Sequence, residues 1–182
     1  DLLRKNNFKV FGPNKNGARL EYSKSWAKEF MQNANIPTAK FWKVKSLSEA
    51  ERIINKFDSD PLVVKADGLA SGKGVFIPES KHECLQVTKE IFNGKFGNAG
   101  EVVVLEEKIE GPEVSIFALC DGDKYILLPT AQDHKRLNEN DKGPNTGGMG
   151  AFSPAPLLTK KYLDKITKEI IDPTINELKR KK

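Results

Sequence analysis

The residues best suited to chemistry surround a glycine-rich segment, Gly68-Leu-Ala-Ser-Gly-Lys-Gly74. Glycine permits backbone conformations in which several N–H groups converge on one anion, and Lys73 adds a positive charge. Lys65 ends the apolar run Pro61-Leu-Val-Val, where a buried ammonium must find a partner or lose its charge. The partner could be a nucleotide phosphate, or it could be Asp67 or a nearby glutamate.

This segment differs from the two commonest phosphate-binding motifs. Three residues, not four, separate Gly68 from Gly72, and Gly74 follows Lys73 where a P-loop has Ser or Thr. A dinucleotide-binding motif opens a helix, whereas Val75-Phe-Ile77 is typical of a strand. The sequence therefore predicts a flexible glycine-rich flap between two strands that could cover phosphates, with a plain β-hairpin as the alternative.

The elements around the flap follow from hydrophobic periodicity and capping pairs. Ser46 with Glu49 and Ser80 with Glu83 predict two helix starts. Strands are predicted at 38–44, 61–65, 75–77 and 101–107, and two carboxylates, Glu106 and Glu107, end the last of these. Residues 38–107 thus form a β-α-β-β-α-β unit, and the fold class is α+β.

Flanking segments are less regular. A strand is predicted at 8–11 and a helix at 18–34, and Asp121-Gly122 predicts a hairpin between strands at 114–120 and 125–128. Residues 129–158 show little periodicity and are expected to form a long loop, which would be either functional or disordered. A final helix at 159–179 should bend at Pro173.

Composition narrows the function classes. The 182 residues carry a net charge of +5, of which four charges belong to the basic tail 179–182, so nucleic-acid binding is a weak alternative. No apolar stretch approaches the roughly 18 residues of a membrane helix, so no membrane partner is expected. Two cysteines make no disulfide framework, which favours a reducing compartment, the cytoplasm.

Two sets of motifs resemble a known family. The run Val63 to Val75, with Glu106-Glu-Lys-Ile-Glu-Gly-Pro-Glu-Val-Ser115, resembles the ATP-grasp fold. Gln132-Asp-His-Lys-Arg136, with the stretch Gly143 to Pro156, resembles the glycinamide ribonucleotide synthetase (phosphoribosylamine–glycine ligase) family within it. The resemblance implies the end of an amino-terminal domain at 1–13, a helical linker at 14–37, the ATP-grasp lid at 38–107 and the first part of the catalytic subdomain at 108–182.

The resemblance also implies site residues. ATP phosphates would lie on two lysines and the flap, adenine on the hinge after Glu106, and ribose on a carboxylate; the residues are Lys24, Lys65, Gly68, Gly72, Lys73, Gly74, Glu106, Glu107, Lys108, Ile109 and Glu113. The phosphoribosylamine region would be Asp133, His134, Lys135, Arg136 and Asn145. No metal ligand is predicted here, and the ligands of Mg²⁺ are expected outside this chain.

The implied reaction joins glycine to 5-phosphoribosylamine with ATP, through a glycyl phosphate, in purine biosynthesis. The chain begins at Asp1 and is expected to be a fragment without turnover of its own, from a parent that could carry further purine-pathway domains. A ligase with another acceptor and a non-catalytic nucleotide-binding module remain the alternatives.

Overall fold

The computed structural model describes residues 1–70, 73–139 and 142–181, without the side chains of residues 144 and 145. The chain divides into a first unit, residues 1–109, and a second unit, residues 110–182. The helices of the first unit are α1 (Leu2–Lys5), α2 (Arg19–Tyr22), α3 (Lys24–Asn33), α4 (Leu47–Lys56) and α5 (Lys81–Glu90). Its strands are β1 (Phe41–Val44), β2 (Val63–Ala66), β3 (Val75–Phe76) and β4 (Val103–Glu106).

The four strands form one antiparallel sheet in the order β1-β4-β2-β3. The predicted β-α-β-β-α-β sequence of elements and the α+β class are confirmed. Every residue of the central strand β4 is buried. Because successive side chains point to opposite faces, Val64, Val103 and Leu105 enter the core formed with α4 and α5, while Lys65 and Glu106 belong to the opposite face.

Both predicted capping boxes are present. The Ser46 and Ser80 hydroxyls accept the backbone N–H groups of Glu49 and Glu83, at 3.3 and 3.1 Å. Each glutamate carboxylate in turn accepts the backbone N–H of the residue before its serine, at 2.8 and 2.7 Å. These local pairs satisfy N–H groups that a helix start leaves open, and they fix where α4 and α5 begin.

The amino-terminal part differs from the prediction in two ways. The strand expected at 8–11 does not form; Phe8 and Phe11 are exposed and their backbone joins no sheet. The helix expected at 18–34 is two helices, because Ser23 adopts an extended conformation and caps α3 through a bond from the N–H of Trp26. Leu20, Trp26 and Ala27 keep helical spacing on both sides of Ser23, so periodicity alone did not indicate the break.

The second unit contains short strands and a long helical segment. Its strands are β5 (Ala118–Cys120), β6 (Tyr125–Leu127), β7 (Gln132–Asp133), β8 (Arg136–Asn138), β9 (Lys142–Asn145) and β10 (Ala151–Phe152). Its helices are α6 (Lys160–Ile166) and α7 (Asp172–Arg180), joined by a π-helical turn, Thr167–Ile171. The turn ends at Ile171, two residues before Pro173, which cannot donate to the carbonyl four residues earlier, so the helical hydrogen-bond pattern changes beside the position where a bend is predicted.

The prediction of a long loop at 129–158 is wrong in part. Strand β7 pairs with β10 and strand β8 with β9, both antiparallel, so the segment folds into nested hairpins. Exposed polar strands this short lack the alternation that sequence reading relies on. Strands β5 and β6 form the predicted hairpin around Asp121-Gly122. Among the described residues, no helix combines the length and apolar character that crossing a bilayer requires.

Candidate nucleotide and phosphosugar sites

The ends of β2 and β4 place two charged residues side by side. Lys65 lies opposite Val104 in the ladder, and Glu106 is two residues farther along β4 on the same face. The Lys65 ammonium contacts one carboxylate oxygen of Glu106. The glutamate side chain is 5% exposed and the lysine 26%. The partner of Lys65 is therefore a nearby glutamate, one of the alternatives that the sequence left open, and not Asp67.

Lys28 of α3 is a third member of this group, and sequence reasoning did not single it out. Its ammonium contacts the other oxygen of Glu106 and donates to the Thr38 hydroxyl at 2.6 Å, with the side chain 12% exposed. Burial, with help from Lys65, lowers the pKa of Lys28 to about 8. The available signal was spacing, because Lys28 follows Lys24 by four residues and so shares its helix face.

Lys24 is brought to the glycine-rich segment by the start of α3. Its ammonium donates to the Gly68 carbonyl at 3.3 Å. The Asp67 carboxylate accepts from the Ser23 hydroxyl at 3.1 Å and from the N–H of Ser25. Burial, together with the charge of Lys24, lowers the pKa of Lys65. The two predicted phosphate lysines thus lie in one electrostatic neighbourhood.

The flap joins β2 to β3, as predicted, and its two described glycines are needed for packing. A Cβ on Gly68 would meet the Ala99 Cβ at 2.8 Å, and a Cβ on Gly74 would meet the Ala70 Cβ at 2.7 Å. The Lys73 N–H donates to the Ala70 carbonyl at 2.9 Å. Gly72 lies outside the described residues. Close packing therefore accounts for Gly68 and Gly74 before any ligand is considered.

A cleft of about 450 Å³ borders the start of the flap. Arg19, Asp67 and Gly68 are among its lining residues, whereas Lys28, Lys65 and Glu106 are not. The cleft therefore lies beside the cluster of Lys24, Lys28, Lys65 and Glu106 without including it, and the two are linked at Gly68, which lines the cleft and accepts a hydrogen bond from Lys24. The concentration of ammonium groups around Glu106, more than the size of the cleft, indicates that Lys28 and Lys65 belong to the candidate phosphate site.

The hinge after β4 contains the predicted adenine contacts. The Glu106 carboxylate at its start is engaged by Lys28 and Lys65. The Glu107 N–H donates to the Lys40 carbonyl at 2.9 Å, and the Glu107 carboxylate accepts the Lys40 N–H at 3.4 Å. Lys108 follows in irregular backbone, and Ile109 has a side chain that is 69% exposed.

In the second unit, the Lys135 ammonium lies close to the carboxylates of two predicted site residues, Glu113 and Asp133. It donates to the Glu113 carboxylate at 2.7 Å and lies 3.8 Å from the Asp133 carboxylate. The hydrogen bond to Glu113, aided by both negative charges, raises the pKa of Lys135. Glu113, predicted to contact ribose, thus pairs with a residue of the predicted phosphosugar set. Arg136 donates to the Gly143 carbonyl at 2.8 Å and is exposed.

The nested hairpins bring the rest of that set together. The His134 ring stacks at a tilt on Phe152, with centroids 5.3 Å apart. The Lys135 carbonyl accepts from the Thr146 hydroxyl at 2.9 Å, and Asn145 lies opposite Arg136 in the ladder. The side chain of Asn145 is outside the described residues. Two runs separated in sequence therefore form one polar surface within the second unit.

Neither the basic tail nor a metal cluster adds a second candidate site. Arg180 and Lys181 both pair with the Glu177 carboxylate, at 2.7 and 3.4 Å, and Lys179 lies 3.7 Å from the Asp123 carboxylate. These three charges are partnered within the second unit. Over residues 1–70, 73–139 and 142–181, no group of three or more His, Cys, Asp or Glu side chains is arranged to hold a metal ion. The described residues therefore offer no metal site built from protein side chains alone.

Comparison with known proteins gives consistent matches along the chain. Residues 22–182 match the family described as phosphoribosylglycinamide synthetase, ATP-grasp (A) domain. Phosphoribosylamine–glycine ligase of Leptospira interrogans is 48% identical over 176 residues, which cover 96% of this chain and 41% of that protein. The bifunctional purine biosynthetic protein PUR2,5 of Pichia angusta is 48% identical over 172 residues, 94% of this chain and 22% of that protein.

A solved structure agrees with these matches. The crystal structure of phosphoribosylamine–glycine ligase from Thermotoga maritima superposes with a TM-score of 0.86 at 40% identity, covering 94% of this chain and 44% of that one. The expected ATP-grasp fold is thereby confirmed. The chain spans about two fifths of the length of the bacterial relative from Leptospira interrogans, 41%.

Proposed function

This chain belongs to the phosphoribosylglycinamide synthetase, ATP-grasp (A) domain family, and on that premise we propose that its full-length gene product joins glycine to 5-phosphoribosylamine with ATP. The observation that carries the proposal is the pair of lysines, Lys24 and Lys65, held beside the glycine-rich flap. Two ammonium groups, those of Lys28 and Lys65, share one buried carboxylate there, and Lys24 donates to the adjacent Gly68 carbonyl, so the cluster has excess positive charge suited to phosphates.

Each unit has its own part in this proposal. In the first unit, Lys24, Lys65 and the flap residues Gly68, Gly72, Lys73 and Gly74 hold the ATP phosphates, and the hinge from Glu106 through Glu107 and Lys108 to Ile109 holds adenine, with Glu106 contributing its backbone while its carboxylate stays with the lysines. In the second unit, Glu113 accepts from ribose hydroxyls, since a carboxylate offers acceptors without donors. Asp133, His134, Lys135, Arg136 and Asn145 bind the phosphosugar, Arg136 through a guanidinium fork suited to phosphate.

The reaction follows in two balanced steps. A carboxylate oxygen of glycine attacks the γ-phosphorus of ATP, the bond to the β-phosphate oxygen breaks, and glycyl phosphate and ADP form. The amine of 5-phosphoribosylamine then attacks the glycyl carbonyl carbon, loses a proton and displaces inorganic phosphate. The protein contributes positioning and charge neutralisation. A closed flap would keep water from the acyl phosphate.

The test is an assay of the full-length gene product for ADP release. Steady-state release should require both glycine and 5-phosphoribosylamine when no other nucleophile is added, and hydroxylamine supplied in place of the amine should trap the glycyl group as its hydroxamate, with release of ADP. Lys65→Met should lower kcat/KM for ATP by at least tenfold, whereas Lys43→Met, which removes only a surface pair with Glu29, should not. Steady-state ADP release with a metabolite amine other than 5-phosphoribosylamine, and not with it, would identify a ligase with another acceptor, and nucleotide binding without turnover would identify a non-catalytic nucleotide-binding module.

The 182-residue chain should show no turnover by itself, because it spans 41% of a relative that carries the ligase name. Fusion to further purine-pathway domains is compatible with the bifunctional relative, and the size of the gene product decides it. Cys84 and Cys120 are free thiols, which supports a cytoplasmic location.

A further inference from the structure

Glu106 divides its two carboxylate oxygens between two lysines of different elements. One oxygen contacts Lys65 of β2, and the other contacts Lys28 of α3. The carboxylate is 5% exposed, so water screens these contacts weakly. Counted over these three groups, the charge is one positive unit; without Lys28, Lys65 and Glu106 would form a neutral pair.

A neutral buried pair is a poor anion site. A carboxylate that engages a single ammonium cancels most of its field and competes directly with a phosphate for its hydrogen bonds. We propose that Lys28 is a positioning residue, which shares Glu106 with Lys65 and so leaves Lys65 a net charge for the nucleotide phosphates. This inference rests on the proposed function, because it names a further residue of the same nucleotide site.

The place of Lys28 in the fold suits this role. Asp67 ties the start of α3 to the flap, and Lys24, one turn before Lys28, donates to Gly68. The Thr38 hydroxyl accepts another hydrogen bond from Lys28 at 2.6 Å. The Lys28 ammonium is thereby committed to protein partners on two sides. It acts through Glu106 and Lys65, and it is not proposed as a phosphate ligand itself.

The experiment is a charge-balance cycle on the full-length gene product, with ADP and adenosine as probes and binding measured by calorimetry without divalent cations. Lys28→Met should weaken ADP binding about tenfold and leave adenosine binding unchanged, because adenosine has no phosphate. Lys28→Arg should keep the affinity for ADP. The double variant Lys28→Met/Glu106→Gln should return to within about threefold of wild type, because it restores one net positive charge.

The outcomes separate this inference from the proposed function. A wild-type protein that binds neither probe overturns both. Wild-type binding of ADP with an unchanged affinity in Lys28→Met overturns the role of Lys28 alone, and so does a double variant as weak as the single one. Equal losses for ADP and adenosine also overturn it, since they indicate a merely structural effect. Lys43→Met is the matched control, because it removes an exposed lysine–glutamate pair at 2.8 Å.

The cycle also covers the case in which Lys28→Met does not fold. The double variant removes both charges of one buried contact, so it leaves no unpaired carboxylate at that position. An ADP affinity within about threefold of wild type then supports charge sharing. A tenfold loss in the folded double variant contradicts it.

Discussion

A single buried carboxylate, Glu106, sets the electrostatics of the proposed nucleotide site. The charged groups on the elements around it are Lys28 and Lys24 of α3, Lys65 of β2, and the Lys43–Glu29 pair farther along the same face. An exposed lysine keeps its proton well above pH 9, but burial lowers the pKa of Lys28 to about 8. The ionisation of this residue should therefore be visible near neutral pH.

We predict that ADP affinity falls as the pH rises from 7.5 to 9.5. Phosphate binding favours the protonated form of Lys28, and the free protein loses that proton near pH 8, so binding weakens above that pH. Lys65, whose pKa is also lowered, adds to the fall with the same sign. Calorimetry over this range measures it, and the profile of Lys28→Met should be flatter. A constant or rising affinity would contradict the assignment.

The two thiols should react at very different rates. Cys84 is fully buried, and burial raises its pKa to about 11, whereas Cys120 is half-buried. Because the thiolate is the reactive form, at pH 8 one thiol of the 182-residue chain should react quickly with a disulfide reagent. The second should react only on unfolding. Cys120→Ser should abolish the fast phase, and a fast phase that survives this change would show that Cys84 is accessible.

At the scale of elements, the flap is anchored by packing at its first glycine. Gly68 donates its N–H to the Ala99 carbonyl at 3.2 Å and lies against the Ala99 side chain and backbone. Asp67 donates to the Val102 carbonyl at 3.0 Å. Strand β2 therefore leaves the sheet along a fixed path before the flap begins.

Gly68→Ala should lower the free energy of unfolding by about 1–3 kcal/mol. The new Cβ would lie 2.8 Å from the Ala99 Cβ and 2.9 Å from its Cα, and a backbone atom cannot turn aside. Urea denaturation of the 182-residue chain measures the change. Gly147→Ala is the control, because nothing lies within 4 Å of its Cβ, and its stability should stay within about 0.5 kcal/mol. Equal stability of both variants would show that the corner adapts.

Across the whole chain, buried apolar surface is concentrated in the first unit. Its core includes Ile54, Leu62, Val64 and Leu105, all almost fully buried. Among the described residues of the second unit, Ala155 is the one buried apolar side chain. Side chains of the β5–β6 hairpin, including Phe117, Leu119, Ile126 and Leu128, are exposed.

This asymmetry predicts uneven protection from hydrogen exchange in the 182-residue chain. Amides of β2 and β4 should exchange only on unfolding of the first unit, because their bonds lie within its core. Amides of β5 and β6 should exchange at least a hundredfold faster, since little buried apolar surface opposes their opening. Mass spectrometry of labelled peptides measures both. Comparable protection of the two sheets would mean that the second unit is stabilised by something other than its own apolar core.

The sequence by itself determined the features that depend on neighbours along the chain. Alternation and apolar runs predict the four strands of the first sheet, Ser46 with Glu49 predicts a helix start, and Asp121-Gly122 predicts a hairpin. The runs Gln132 to Arg136 and Gly143 to Pro156 indicated the family by residue type and spacing alone. Each signal consists of residues close in sequence, whose backbone preferences act whatever the rest of the chain does.

Only the tertiary structure decided what the candidate residues contact. The partner of Lys65 proved to be Glu106, and Lys28 joined them, because the strand register and the packing of α3 on β4 bring distant positions within reach. Ser23 caps α3 where the expected helix breaks, and Asp67, distant in sequence, accepts hydrogen bonds from the Ser23 hydroxyl and the Ser25 N–H. Such contacts depend on distance in space, and a pattern of neighbouring residue types does not encode which side of a buried carboxylate meets which lysine.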